Sequence, residues 1–180
     1  MNKLIATSFT TTLSLAALVA LGPLSTDMYL PALPGMTKTL NTDTGSIQLT
    51  LSLFLAGFAL AQIVYGPLSD RFGRKPMLLT GLLLFCISSI GCALSTDINS
   101  LIVFRFFQAL GGSAGPVLGR AMVRDIHGPK NSGKVLSHIA SAMALAPAIA
   151  PIAGGFMSLF WGWTSIFWFL ALFGILGAAL

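Results

Sequence analysis

Gly66-Pro67-Leu68-Ser69-Asp70-Arg71-Phe72-Gly73-Arg74-Lys75-Pro76 is a charged island between two long apolar runs. It holds four of the fifteen Asp, Lys and Arg residues, and the chain has no Glu. Gly73 permits the positive φ of a tight turn, and Pro76 suits the start of a following helix. A short basic turn between hydrophobic helices is expected of a cytoplasmic hairpin in a membrane protein.

Composition extends this reading to the whole chain. Apolar residues make up 55% and charged residues 8%, whereas a soluble globular chain is about a quarter charged. So little polar surface cannot cover a water-soluble core of this size, and the expected class is all-α integral membrane. The net charge of +5 could suggest nucleic acid. The basic residues instead lie mostly between apolar runs, where they report topology, and no nucleic-acid partner is expected.

Spanning a bilayer takes roughly 20 apolar residues. Six runs qualify, at about 5–26, 46–66, 77–95, 100–122, 135–158 and 161–180. Short connections make neighbouring helices antiparallel. The first run, after Lys3, is too long for a signal-peptide core and precedes five more spans, so it counts as a helix. Lys3, Arg71, Arg74, Lys75, Arg124, Lys130 and Lys134 fall on one side and only Lys38 on the other, seven against one. The amino terminus is therefore expected in the cytoplasm, with Trp161 and Trp163 at the outer interface. Cys86 and Cys92 lie six apart in one run, on different helix faces, and read as buried thiols. Leu180 falls inside the sixth run, which predicts that the chain is truncated.

These residues resemble the major facilitator superfamily. Within it, they resemble the drug/proton antiporters of the bicyclomycin/chloramphenicol-resistance subfamily. Gly66 through Lys75 matches the superfamily's loop 2–3 signature G-x-L-a-D-r-x-G-r-k. Asp27-Met-Tyr29-Leu-Pro31-Ala-Leu-Pro34 is similar to the subfamily's helix 1 ending. Arg105-Phe-Phe-Gln108-Ala-Leu-Gly111 resembles the helix 4 motif R-x-x-Q-G-x-G, with Ala109 for one Gly. Ala150-Pro151-Ile-Ala-Gly154-Gly155 resembles the antiporter motif G-P-x-x-G-G, with Ala150 for its first Gly. The resemblance covers the whole chain and implies the amino-terminal six-helix half of a twelve-helix fold. It implies a multidrug efflux transporter of the bacterial inner membrane, exporting small hydrophobic or cationic drugs by antiport. The proton is the coupling ion, and no further cofactor or metal is expected. The implied partners are membrane lipids, the drug, the proton, and a second six-helix half from the same or another chain.

Asp27 is the only acid in or near the first run. A carboxylate within the bilayer is costly to ionise and can alternate between protonated and charged forms. The other reading places it among the outer headgroups at a helix end marked by Pro31 and Pro34. Arg105 stays charged at any usable pH, so burial demands partners, while snorkelling to the surface is the alternative. The resemblance implies proton coupling for both residues, and an Asp27–Arg105 contact is conceivable. It also implies that Gly66, Asp70, Arg71, Gly73, Arg74 and Lys75 form a gating loop that latches two halves. In that loop Asp70 can pair with a nearby Arg or sit at a helix amino terminus, Arg120 or Arg124 are further candidate partners, and the basic residues suit anionic lipid heads. Pro147, Pro151, Gly154 and Gly155 are expected to kink helix 5 and allow close packing, and the resemblance implies a role against leakage. Tyr29, Gln48, Gln62 and Gln108 are the candidate polar contacts to substrate.

Three other readings compete. A metabolite transporter would share the fold, and a truncated fragment would be transport-inactive. Gly111-Gly112-Ser113-Ala114-Gly115 fits G-x-S-x-G, with His138 nearby, but a nucleophile elbow needs a strand–turn–helix setting that this sequence lacks. A small-residue stripe on a membrane helix explains it better, and no enzymatic activity is expected.

Overall fold

A computed structural model describes residues 9–179, with side-chain surroundings throughout except at residues 9–13, 127, 129–131, 134, 138, 142 and 179. Lys3, Leu180 and the side chains of Lys130, Lys134 and His138 therefore lie outside the described residues. The fold is all-helical: α1 (Phe9–Asp27), a 3-10 turn (Leu30–Ala32), α2 (Leu33–Thr39), α3 (Thr44–Phe72), α4 (Arg74–Ala93), α5 (Ile98–Gly112), α6 (Ala114–Trp161) and α7 (Thr164–Ala179). Five segments are long and apolar enough to cross a membrane: Ser14–Thr39, Thr44–Phe72, Arg74–Ala93, Ile98–Ile126 and Val135–Trp161. A shorter apolar helix covers Thr164–Ala178.

The helices run further than hydropathy marks. The expected loop at 66–76 is mostly the last turns of α3, which carry Gly66, Asp70 and Arg71. Only Gly73 leaves the helix, at φ 94°, and its N–H still donates to Ser69 O at 3.0 Å. The 123–134 connection is likewise helical apart from a kink at Gly128, φ 69°. Polar side chains that hydrogen-bond their own helix, such as Ser69 Oγ to Gly66 O at 2.8 Å, let polar residues stay helical past the apolar run. Trp161 is exposed, whereas Trp163 is buried, edge-on to Phe167 at 6.0 Å.

Two helix starts are set by carboxylates. Asp43 accepts from Ser46 N at 3.0 Å, and Asp97 accepts from Ser100 N at 2.9 Å. These bonds satisfy donors that a helix start leaves unpaired. Hydrogen bonding to Ser46, first through its side chain, holds the Asp43 carboxyl below its usual value; the Ser100 amide does the same for Asp97.

The bundle is closed by backbone-to-backbone approach. In lipid no hydrophobic force drives helices together, so small residues at the interface matter most. α1 lies against both parts of α6. A Cβ at Gly115 would meet Leu18 O at 2.1 Å, and one at Gly154 would meet Met28 O at 2.1 Å. α4 packs on α5 in the same manner, since a Cβ at Gly111 would sit 2.4 Å from Phe85 N. These contacts pin the end of α1, which carries Asp27, beside the later part of α6.

Two outcomes follow. Gly154→Val should destabilise the bundle by about 1–3 kcal/mol, read as a lower unfolding midpoint in detergent, while a valine at the uncontacted Gly35 should not. The caps have native pKa values below the unfolded value of 3.8, so their contribution is complete above that pH and lost as pH falls through the lowered native values. Hydrogen exchange at the Ser46 and Ser100 amides should match that of Asp43→Ala and Asp97→Ala variants only in that acid range.

Candidate functional site: a caged arginine beside an acidic cavity

α5 places Arg105 and Gln108 three residues apart on one helix face. Arg105 has no exposed surface and is one of the largest fully buried side chains. Its Nη1 donates to Ser25 O at 3.2 Å and to Gln108 Oε1 at 2.8 Å. Gln108 Nε2 then donates to Ser89 Oγ at 2.7 Å, and Ser89 Oγ to Phe85 O at 2.7 Å. One chain of bonds thus ties α1, α5 and α4 together. The guanidinium carbon lies 4.2 Å from the ring centres of both Tyr29 and Phe54, and 5.7 Å from that of Phe167. The Tyr29 hydroxyl is bonded to Thr50 Oγ1.

Among the described residues no carboxylate pairs with this cation. Its Nε and Nη2 are buried and have no hydrogen-bond partner. Burying an ion costs several kcal/mol even after relaxation. A desolvated cation–π contact returns about 2 kcal/mol, so the two rings at 4.2 Å carry a large part of the compensation. Snorkelling is excluded for Arg105.

Asp27 sits at the end of α1, partly buried. It lines a cavity of about 340 Å³ with Thr26, Phe54, Phe58 and Pro147 among its walls. Its Oδ1 accepts from Thr26 Oγ1 at 3.3 Å. The direct Asp27–Arg105 contact is not formed. The two are instead linked by the chain, through Ser25, and by Phe54, which touches both the cavity and the guanidinium.

The four polar residues expected at the substrate do not converge. Tyr29 and Gln108 belong to the Arg105 cage, fully buried and already bonded. Gln48 is exposed and lines another cavity, of about 380 Å³, together with Lys38 and Thr37. Gln62 is exposed on α3. The residues that line the cavity with Asp27 include two aromatics, Phe54 and Phe58, which a polarity-based search misses. Their spacing of four on α3 was the available signal.

Pro147, Pro151, Gly154 and Gly155 all lie on the last part of α6. Pro147 faces the Asp27 cavity, and Gly154 seats α6 on Met28. A Cβ on Gly155 would come within 3.7 Å of Pro31, and Pro151 is partly buried. Ser113 lies at the junction of α5 and α6, buried, with its hydroxyl donating to Leu110 O at 3.0 Å. Its helical setting offers no strand-to-helix elbow.

A second constellation lies at the other end of the bundle. Arg74, the first residue of α4, pairs with Asp70 at 2.7 Å and with Asp125 at 3.1 Å, and Nη1 donates to Ser69 Oγ. It therefore joins α3, α4 and α6. The expected partners of Asp70 on α6 were basic. The observed link runs the other way, with the acid Asp125 taken by Arg74, while Arg120 Nε donates to Pro116 O at 2.6 Å. Arg124 and Lys75 are exposed, and Arg71 stacks over Phe72 at 5.3 Å.

Comparison with known proteins bears on the family and the fold. Residues 13–180 match the family model described as Major Facilitator Superfamily. A chloramphenicol resistance protein of Pseudomonas aeruginosa is 40% identical over 170 residues, covering 94% of this chain and 40% of that protein. An uncharacterized MFS-type transporter of Bacillus subtilis, YdgK, is 42% identical over 164 residues, 90% of this chain and 41% of that protein. A bicyclomycin resistance protein homolog of Haemophilus influenzae is 36% identical over 168 residues, 93% of this chain and 42% of its own length. The chain thus spans about two fifths of these relatives. The crystal structure of a peptide transporter POT mutant in complex with sulfate superimposes with a TM-score of 0.81 at 20% identity, covering 93% of this chain and 36% of that one. A membrane-embedded bundle with this motif set, matched from residue 13 onward, belongs to the Major Facilitator Superfamily.

Proposed function

We propose that the protein carrying this chain exports small hydrophobic or cationic drugs across a bacterial inner membrane in exchange for protons. The observation that carries the reading is the acidic, aromatic-walled cavity at Asp27, set against a fully buried arginine with unused donors. A carboxyl in such a place can hold either a proton or a cation, which is the minimum for exchange. Relatives named for chloramphenicol and bicyclomycin resistance support a drug as the cargo. The site would lie between this six-helix half and a second one, and transport belongs to that longer assembly. The basic end of the bundle, with Arg71, Arg74 and Lys75, is the cytoplasmic side in this reading, and the amino terminus lies there too. Transport, rather than bond-breaking chemistry, is the activity, and the proton is the only coupling agent required.

The Asp70–Arg74–Asp125 network is assigned to gating. Its members are substantially exposed, at 64%, 29% and 56% of their side-chain surface, so its static worth is at most about 1 kcal/mol per pair. Such weak, specific pairs can break and re-form as helices shift, which suits a latch better than a brace.

In membrane vesicles containing the full-length protein, Asp27→Asn and Arg105→Ala should each reduce proton-driven ethidium efflux by roughly tenfold or more. Coupled efflux that persists unchanged in both variants removes these residues from the mechanism. Arg74→Ala and Asp125→Asn should each slow efflux while leaving the unfolding midpoint nearly unmoved. Their double variant should lose less than the sum of the singles. Strict additivity would mean that the pair does not act as one switch.

A further inference from the structure

Phe54 has an unusual double position. It is 1% exposed, its ring lies 4.2 Å from the Arg105 guanidinium, and the same side chain lines the Asp27 cavity. Phe58, one helical turn further on, stacks on Phe54 with ring centres 6.0 Å apart and lines the same cavity. The rings described over Arg105 are those of Tyr29, Phe54 and Phe167. Of these, only Phe54 is shared with the cavity wall. Tyr29 is tied to Thr50 and Phe167 packs on Trp163.

We propose that Phe54 is the positioning residue through which occupancy of the Asp27 cavity reaches Arg105. An occupant that presses on this ring moves one of the two closest faces compensating the buried charge. Arg105 also has two donors with no partner, so any loss at the ring shifts its balance toward another acceptor. The carboxyl of Asp27 lies at the same cavity, and Ser25, whose carbonyl holds Arg105, is two residues before it. A cation entering the cavity takes the place of the proton on Asp27. One O–H bond breaks, the electron pair stays on the carboxylate, and the proton leaves to solvent. Phe54 sets how tightly that release follows binding. The inference rests on the exchange reading above and adds the element that couples its two halves.

The test uses full-length protein in weakly buffered detergent, with ethidium as the probe. Binding is read by fluorescence and proton release by a pH indicator, for the wild type and for Phe54→Leu, Phe54→Tyr and Phe58→Leu. Phe54→Leu keeps an apolar wall but removes the ring's negative face. It should bind ethidium within about threefold of the wild type while releasing several-fold fewer protons per bound ethidium. Phe54→Tyr should restore release. Phe58→Leu should weaken binding and leave the protons per bound ethidium unchanged. Equal proton release from Phe54→Leu and wild type overturns the inference, as does identical behaviour of Phe54→Leu and Phe58→Leu. If Phe54→Leu unfolds, Phe54→Tyr against Phe58→Leu still decides, because a lowered proton count in Phe58→Leu alone assigns the role to the wrong ring. Absence of proton release in the wild type is a separate result: it removes the exchange reading, and this inference with it.

Discussion

A guanidinium buried with no carboxylate paired to it among the described residues is the constraint around which this bundle is arranged. Arg105 cannot discharge itself by deprotonation at usable pH, so the surroundings must supply what water no longer does. They do so with five groups: a carbonyl of α1, an amide on α5, and the ring faces of Tyr29 before α3, Phe54 within α3 and Phe167 on α7. Each donor of compensation lies on a different part of the chain. The charge therefore acts as a node that holds the relative positions of helices far apart in sequence. Compensation is also incomplete, which distinguishes this node from an ordinary structural ion pair.

Around it, the bundle is closed by contacts that admit no side chain. α1 is seated on α6 at Gly115 and again at Gly154, and α4 on α5 at Gly111. Packing of this kind gains from dispersion over closely approaching backbones. It also fixes the end of α1 to within ångströms, and the depth of the acidic cavity with it. At the opposite end the Arg74 pairs are exposed and weak. One end of the bundle is therefore rigid, while the other is held by contacts that exchange easily.

Much of this was legible from residues alone. Of the six expected spans, five are long and apolar enough to cross a membrane among the described residues and the last is a shorter apolar helix, while the Gly66–Pro76 stretch pointed to the superfamily without any coordinates. Gly73 was correctly placed as the turn residue because only its positive φ explains a glycine between two helices there. Helix ends were less legible. Hydropathy stops where polar side chains begin, whereas α3 continues through Asp70, which pairs with Arg74, and Arg71, which lies over the Phe72 ring. Burial of Arg105 was one of the two readings open, beside snorkelling, and its partners were not legible, since cation–π contacts leave no charge pattern to read. Polarity led to Gln48 and Gln62, which are exposed on α3. The aromatic part of the cavity wall, Phe54 and Phe58, shows in the sequence only as a spacing of four on α3. Asp125 was missed for a different reason: its partner came from a helix start, where an acid on another helix gives no periodic signal.

The glycine seats have a consequence for divergence within the family. Positions such as Gly115 and Gly154 accept no Cβ, so they are closed to variation unless the backbone moves. Leu55, which lines the acidic cavity, is 52% exposed and takes no part in the Arg105 cage, whereas Phe58 on the same wall is seated against Gly22 of α1. Substitutions at Leu55 change the cavity's shape without disturbing how the helices meet. A scaffold that confines intolerance to backbone seats leaves the exposed part of that wall free to change shape by single substitutions on an unaltered frame.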